Sequence, residues 1–585
     1  MLGKIIYIGE NIAHIENINE FDKIKDLMNK HIVFEADNQN ILGEVYEIND
    51  KIIKIRFLGE FVYNKFISGI IKKPSLNSTI RPINNNELIT LIGTNNNNSL
   101  NIGKSLLYNP LDVFVDINQF FSAHTAIFGN SGSGKSWGLA RLIQNIFNNP
   151  NIFNYNANIF LFDAHGEYQH ALKDINKNNS NYKYKLITTS LVSDDDVELK
   201  IPFNLLNLDD ICVLLQVSNH SQIPIIKKAL QLAKIFSKND EIANTYKNHL
   251  IAKAILAVLY SSTTSLNKKN QIFNIIDICH TNEFNFNAVL PGVGYTRKFS
   301  KCFELNSTGA FSEILLVTDY VLKFINDNLN MAYEPVNAFY SIEDFSKALD
   351  FTLITEGFQD NKQIYNDSML LKVRLSSLIN SKDVEIFKAP KFVSIEQFVA
   401  NLVMHNNKRC QIINFYFNDL NEVYTKAIIK IITRILFDFT KGLKERATIP
   451  FHLILEEAHR YIQKDDDTYL LGYNIFDKIA KEGRKYGMLL NIISQRPSEL
   501  SDTVISQVSN FLIFKITHPT DIEYISKMLP NISSDIIEKQ KVLQPGVCIG
   551  FGNAFKIPLI IKMDAPTPTP ASTNSNIIQS WKVNV

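Results

Sequence analysis

Gly129, Asn130, Ser131, Gly132, Ser133, Gly134, Lys135 and Ser136 fit GxxxxGK[ST] in full. The apolar stretch HTAIFG precedes them and SWGLARLIQNIFNN follows with helical spacing, so the loop joins a strand to a helix. Its glycines let the backbone curl until N–H groups face phosphate oxygens, and the helix N-terminus adds the positive end of a dipole. Lys135 then reaches the β- and γ-phosphates of ATP, and the Ser136 hydroxyl ligates Mg2+. Such chemistry needs acids at the end of a second strand. Leu453-Ile454-Leu455-Glu456-Glu457 supplies them: Glu456 for the Mg2+ shell, Glu457 to orient and deprotonate the attacking water. Farther on, a strand ends at Ser494-Gln495-Arg496-Pro497, which places Gln495 to sense a γ-phosphate. Ile475 and Ile479 mark the buried face of a helix that reaches Lys481, Arg484 and Lys485 at its C-terminal end. A helix dipole favours basic residues there in any case.

These residues need a scaffold, and the patterning predicts an α/β fold. NIFLFDAHGEY, CQIINFYF, FHLILEE, GMLLNIISQ and NFLIFKI read as buried strands separated by helices, the order of a parallel sheet with helices on its faces. Before them, residues 1–100 alternate apolar and polar positions between Asn, Asp and Gly turns, as a small β-barrel would. Between the strands, 208–400 is mostly helical by period and reads as an inserted helical domain. The Pro/Thr/Ser-rich end, 566–585, reads as an extended tail in which Trp581 either anchors on a neighbour or frays. The expected units are therefore 1–100, 101–207 (first part of the core), 208–400, 401–565 (second part of the core) and 566–585.

Bulk composition narrows the functions. At 585 residues, with 45% hydrophobic and 20% charged, the chain is globular and built of several units. A net charge of +1 excludes a protein that coats nucleic acid over its whole exterior, so any DNA contacts must be concentrated, as in a channel. Cys212, Cys279, Cys302, Cys410 and Cys548 lack CxxC spacing, which argues for isolated reduced thiols in the cytoplasm. Neither a signal peptide nor an apolar run of membrane-spanning length is present, and no membrane partner is expected.

Five motifs in order carry a resemblance to the HerA branch of the HerA/FtsK superfamily: Asp163-Ala164-His165-Gly166-Glu167-Tyr168, IPFNLL at 201–206, EEAH at 456–459, EGRK at 482–485 and SQRPS at 494–498. The resemblance implies a RecA-like P-loop core behind a HAS-type barrel, and a homo-hexamer with nucleotide at subunit interfaces and double-stranded DNA in the pore. It implies that Arg484 is an arginine finger offered to a neighbour, and that Asp163, His165 and Glu167 lie close to the nucleotide. Two positions depart from the family pattern: Ala123 stands before His124 where relatives often carry a basic residue, and Ala164 replaces a proline. Two functions stay open at this level. One is an ATP-driven DNA translocase or helicase. The other is a ring that scaffolds and regulates a separate bacterial anti-phage effector, either a nuclease or a Sir2-type NAD hydrolase; no such signature lies within the chain itself. A membrane-anchored conjugative coupling ATPase fits poorly with a β-rich N-terminal unit.

Overall fold

A computed structural model describes residues 2–571, Ile577 and Trp581, apart from 18–26, 37–38, 64, 109, 153, 178, 308, 330–332, 357–361, 464–466 and 529–533. Most of the tail expected at 566–585 lies outside these residues.

The N-terminal strands are β1 (Ile5–Ile8), β2 (Ile12–Glu16), β3 (His31–Ala36), β4 (Gln39–Ile48), β5 (Ile52–Val62), β6 (Lys65–Ser68) and β7 (Thr79–Pro82). They pair antiparallel in the order β1-β2-β5-β4-β3-β7, with β6 on β5. Leu2 donates its N–H to the Ile80 carbonyl (3.3 Å), drawing the first and last strands together. Strict alternation along β5 sends Ile53, Ile55 and Phe57 inward, where they pack with Ile15, Phe34 and Ile41.

The central sheet is built from β8 (Ser99–Ser105), β9 (Asp112–Asp116), β10 (Thr125–Phe128), β11 (Ile159–Phe162), β12 (Tyr184–Thr188) and β13 (Val197–Glu198). Two small hairpins, β14–β15 (Val289–Pro291, Thr296–Lys298) and β16–β17 (Met404–His405, Lys408–Arg409), stand outside it. It is completed by β18 (Ile412–Tyr416), β19 (Phe451–Leu455), β20 (Met488–Ser494), β21 (Asn510–Ile513), β22 (Val547–Gly552) and β23 (Leu559–Lys562). The order is β13-β12-β18-β11-β19-β20-β10-β21-β22-β23-β8-β9. Strands from β13 to β21 run parallel, and β22, β23, β8 and β9 extend the sheet antiparallel. Parallel strands are covered on both faces, and β10, β11, β20 and β21 are accordingly buried at every position.

The strands predicted from CQIINFYF, FHLILEE, GMLLNIISQ and NFLIFKI correspond to β18, β19, β20 and β21. The helical stretch between β13 and β18 differs from a free-standing insert in one respect. Its buried residues, such as Ile226, Ile251, Ile276 and Phe345, are continuous with Phe160, Phe415, Leu453 and Ile492 on one face of the sheet. Arg434, on the long helix Glu422–Gly442, ties the two parts by bonding the buried carboxylate of Asp210 and the Leu205 carbonyl (2.8 Å). Period alone cannot show this, because helices facing a sheet and helices facing each other share one pattern.

Candidate active site

All parallel strands end on the same edge of the sheet, and the loops that follow them meet there. β10 leads into the phosphate loop and then into a helix, Lys135–Phe147. Gly134 adopts φ 108°, and a Cβ there would come within 2.8 Å of the Gly546 nitrogen, so only glycine fits. Lys135 is buried and donates from Nζ to the Asn130 carbonyl (2.9 Å). Burial holds its pKa below the usual lysine value, opposed by the carboxylates of Glu457, Glu456 and Glu167.

β11 leads into Asp163–Tyr168. The buried Asp163 carboxylate accepts from the N–H groups of Glu167 and Tyr168 (both 3.0 Å) and from Asn414 Nδ2 (3.2 Å), which folds the loop back on itself. The Tyr168 hydroxyl is wholly buried beside the Ser136 side chain. Glu456 directly follows β19, and its Oε2 accepts from Ala164 N–H (2.9 Å). Burial, then the Asp163 carboxyl beside it, then Glu167 and Glu457, raise the Glu456 pKa well above the carboxylate range. Negative charge is therefore crowded in this corner, and a cation placed among these acids would relieve it. Among the described residues no group of three His, Cys, Asp or Glu side chains forms a ready-made metal cage. None is required for Mg2+ bound through phosphate oxygens and water, which takes only one or two protein ligands.

Glu457 follows in a left-handed conformation, φ 48°. Gln495, one residue beyond β20, donates Nε2 to Glu457 Oε1. His459 Nδ1 stands 3.3 Å from Glu457 Oε2 and 3.2 Å from the Ser494 hydroxyl. Burial lowers the pKa of His459, and Glu457 opposes that.

A cavity of about 750 Å3 opens over these groups and is lined by Lys135, Ser136, His165, Glu167, Glu456, Glu457 and Gln495. Asp163 lies under it rather than in its wall, and its contacts are with the loop and with Glu456. Another cavity, about 640 Å3, sits between 212–217 and 421–430 and contains no phosphate-loop residue. The motifs contain Tyr168 and His459 without a pattern that gives either a task, and no motif distinguishes Trp137, which also lines the cavity. Adjacency to Ser136 and Glu457 was the signal available.

The chain matches the family described as "Helicase HerA, central domain" over residues 100–280. It is 25% identical over 375 residues to the DNA double-strand break repair helicase HerA of Saccharolobus solfataricus, covering 60% of this chain and 72% of that one. With a probable helicase of the same name from Methanocaldococcus jannaschii it shares 24% identity over 564 residues, 94% of this chain and 93% of the relative. A Sulfurisphaera tokodaii HerA is 32% identical over 211 residues, 35% of this chain and 42% of that one. This chain is a HerA-like ATPase, similar to the HerA helicases in its central domain and over most of its length.

In this HerA-like ATPase, Arg484 does not join the cavity. It sits in the turn Gly483–Tyr486 just before β20, exposed, while Gln495 follows the far end of that strand. Seven residues of strand at ~3.3 Å each separate them by roughly 20 Å. His124 links the Arg484 side to the phosphate-loop strand. Its Nδ1 accepts from Leu490 N–H (2.9 Å) and its Nε2 donates to the Ala480 carbonyl (3.1 Å), on the helix Ile475–Glu482 that leads to Arg484. Burial, with Arg484 nearby, pushes the His124 pKa down to about 4, so the ring is neutral and the tautomer fixed. All five cysteines are free and buried. No described helix is long and apolar enough to cross a membrane.

Proposed function

We propose that this ATPase works as a homo-hexameric ring that hydrolyses ATP with Mg2+ and moves double-stranded DNA through its central pore. The observation that carries the reading is the separation of Arg484 from its own phosphate loop. Lys135, Ser136, Glu456, Glu457 and Gln495 converge on one edge of the sheet, and Arg484 is exposed toward the opposite edge. An arginine so placed serves a γ-phosphate only on another protomer, which a closed ring supplies to every subunit. Relatives named as DNA double-strand break repair helicases support DNA as the substrate.

Each residue then has a defined task. Phosphate-loop N–H groups and Lys135 take the phosphates; Ser136 and Glu456 would hold Mg2+, which would relieve the carboxylate crowding around Glu456. When bound there, Mg2+ would neutralise charge developing on the phosphates. Gln495 holds the Glu457 carboxylate through its amide. A γ-phosphate within reach of the Gln495 amide competes for it, releasing Glu457 to accept the proton of water. Arg484 of the neighbour stabilises the charge on the transferred group.

The test is ATP turnover by size-separated rings with and without duplex DNA, and with and without any co-purified protein. DNA-stimulated turnover is the expected result. Rings that ignore DNA and respond only to a nuclease or NAD-hydrolase partner would replace this reading with that of a defence scaffold.

A further inference from the structure

The cavity has lining residues that the phosphate chemistry leaves unused. Trp137, the residue after Ser136, lines it and is 40% exposed. Pro545, Met563, Asp564, Ala565 and Ala571 line it as well, most of them on the segment that leaves β23. That segment is fastened at four points. Gln144, 4% exposed on the phosphate-loop helix, accepts from Thr567 N–H (2.8 Å) and donates to the Pro568 carbonyl (2.9 Å). His170 Nδ1 donates to the Thr569 carbonyl (2.7 Å), and Ala571 N–H donates to the Glu167 carbonyl (2.9 Å). The strap thereby joins the phosphate-loop helix to the loop after β11, and its Met563, Asp564, Ala565 and Ala571 border the same cavity that Trp137 lines.

A nucleoside triphosphate has two parts with opposite needs. Its phosphates want backbone N–H groups and cations, which the loop and Lys135 provide. Its base is flat and aromatic, and wants a π-face and apolar atoms. We propose that Trp137 and the strap Met563–Ala571 form the nucleobase subsite, with the indole stacked on the purine and Gln144 as the latch that holds the strap in place. The inference rests on the ATPase reading and extends it to the part of the ligand that no phosphate-loop residue recognises. Stacking on an indole uses the π-face that every base has, so it supplies affinity more than discrimination between bases. The contact is also made equally before and during hydrolysis, and so belongs to uniform binding rather than to the chemical step.

The chain has two tryptophans, Trp137 and the exposed Trp581. In a Trp581→Phe background Trp137 is the sole tryptophan, and its emission reports the subsite directly. ATP and ADP should quench it, whereas tripolyphosphate, at concentrations that displace labelled ATP, should not. Trp137→Ala should raise KM for ATP about tenfold with kcat held within about twofold, leave the tripolyphosphate affinity unchanged, and be rescued in large part by Trp137→Phe. Gln144→Leu should raise KM in the same direction while Trp137 stays in place. If Trp137→Ala binds ATP as wild type does, or if ATP and tripolyphosphate lose affinity together, the subsite is wrong although the ATPase reading survives. If the unaltered protein binds no nucleotide by displacement or by fluorescence, the ATPase reading itself fails and takes the subsite with it.

Discussion

Glu457 accepts from Gln495 at one carboxylate oxygen, has His459 Nδ1 3.3 Å from the other, and its backbone sits in a left-handed conformation that a side chain normally disfavours. Backbone strain at a strand tip persists where surrounding contacts fix the residue, and here they fix a carboxylate beside the phosphate loop. Glu457→Gln should therefore bind ATP and fail to turn it over, while Lys135→Ala should lose nucleotide affinity itself; equilibrium binding and steady-state hydrolysis on both variants separate the two. Near-wild-type turnover by Glu457→Gln would move the base to Glu456. His459 touches Glu457 and Ser494 but lies outside the cavity wall, so it acts by positioning. His459→Ala should lower kcat by up to about 100-fold with KM for ATP unchanged, and His459→Asn should recover part of the loss. A fall in ATP affinity instead would show a structural role for the imidazole.

At the level of elements, β20 is the spacer that sets two functional groups apart, with Arg484 before it and Gln495 after it. Arg484→Ala should leave ATP binding and folding intact and reduce turnover by about 10³–10⁵-fold. Mixing Arg484→Ala with Lys135→Ala protomers should restore activity, because some interfaces then pair an intact loop with an intact arginine. No recovery in demonstrably mixed rings would rule out action between subunits. His124 couples β10 to the helix that presents Arg484, and it belongs with His31 and His452 as a buried ring whose pKa is pushed down to about 4 by burial. The unfolded chain binds protons at these sites below about pH 6.5 while the folded chain refuses them until about pH 4. Stability is thus complete above 6.5 and declines as pH falls toward 4, by roughly 3 kcal/mol per histidine at the limit. Denaturant midpoints measured from pH 7.5 to 4 should trace that slope. His452→Phe should flatten it by one histidine's share, about 3 kcal/mol at the limit, since burial alone lowers the pKa of that ring.

For the whole molecule, the balance of 60 Lys and Arg against 59 Asp and Glu leaves no net field to gather DNA onto the exterior. Affinity for duplex DNA should therefore appear with ring assembly and be weak in monomers. It should fall steeply with salt, because each phosphate contact releases a counterion, and vary little with sequence. DNA affinity across a salt series, on monomers and on rings, tests this. Tight, salt-insensitive binding by monomers would overturn it. The continuous core shared by the helical stretch and the sheet adds a mechanical consequence. Movement at the nucleotide edge has a packed route to the helices, with Arg434 and Asp210 at their junction. Breaking that buried pair at one partner, as in Arg434→Met, should cost about 3–5 kcal/mol in stability.

The sequence by itself determined the alternation of strands and helices, the phosphate loop and the paired acids at Glu456 and Glu457. Each is a local signal: a period, a glycine spacing, or an apolar run ending in charge. It also determined the HerA resemblance, because five short motifs in fixed order are far more specific than any one of them. Only the tertiary structure decided which groups share one cavity. Asp163 turned out to brace its loop from beneath, since two backbone N–H groups and Asn414 take its oxygens. Arg484 and Gln495, eleven positions apart in the sequence, stand on opposite edges because an extended strand converts sequence proximity into distance. Trp137 and Ala571, far apart in the chain, border one cavity because β23 returns the C-terminal segment to the phosphate-loop helix, where Gln144 fastens it. Contacts of that kind carry no periodicity, and a sequence read element by element cannot hold them.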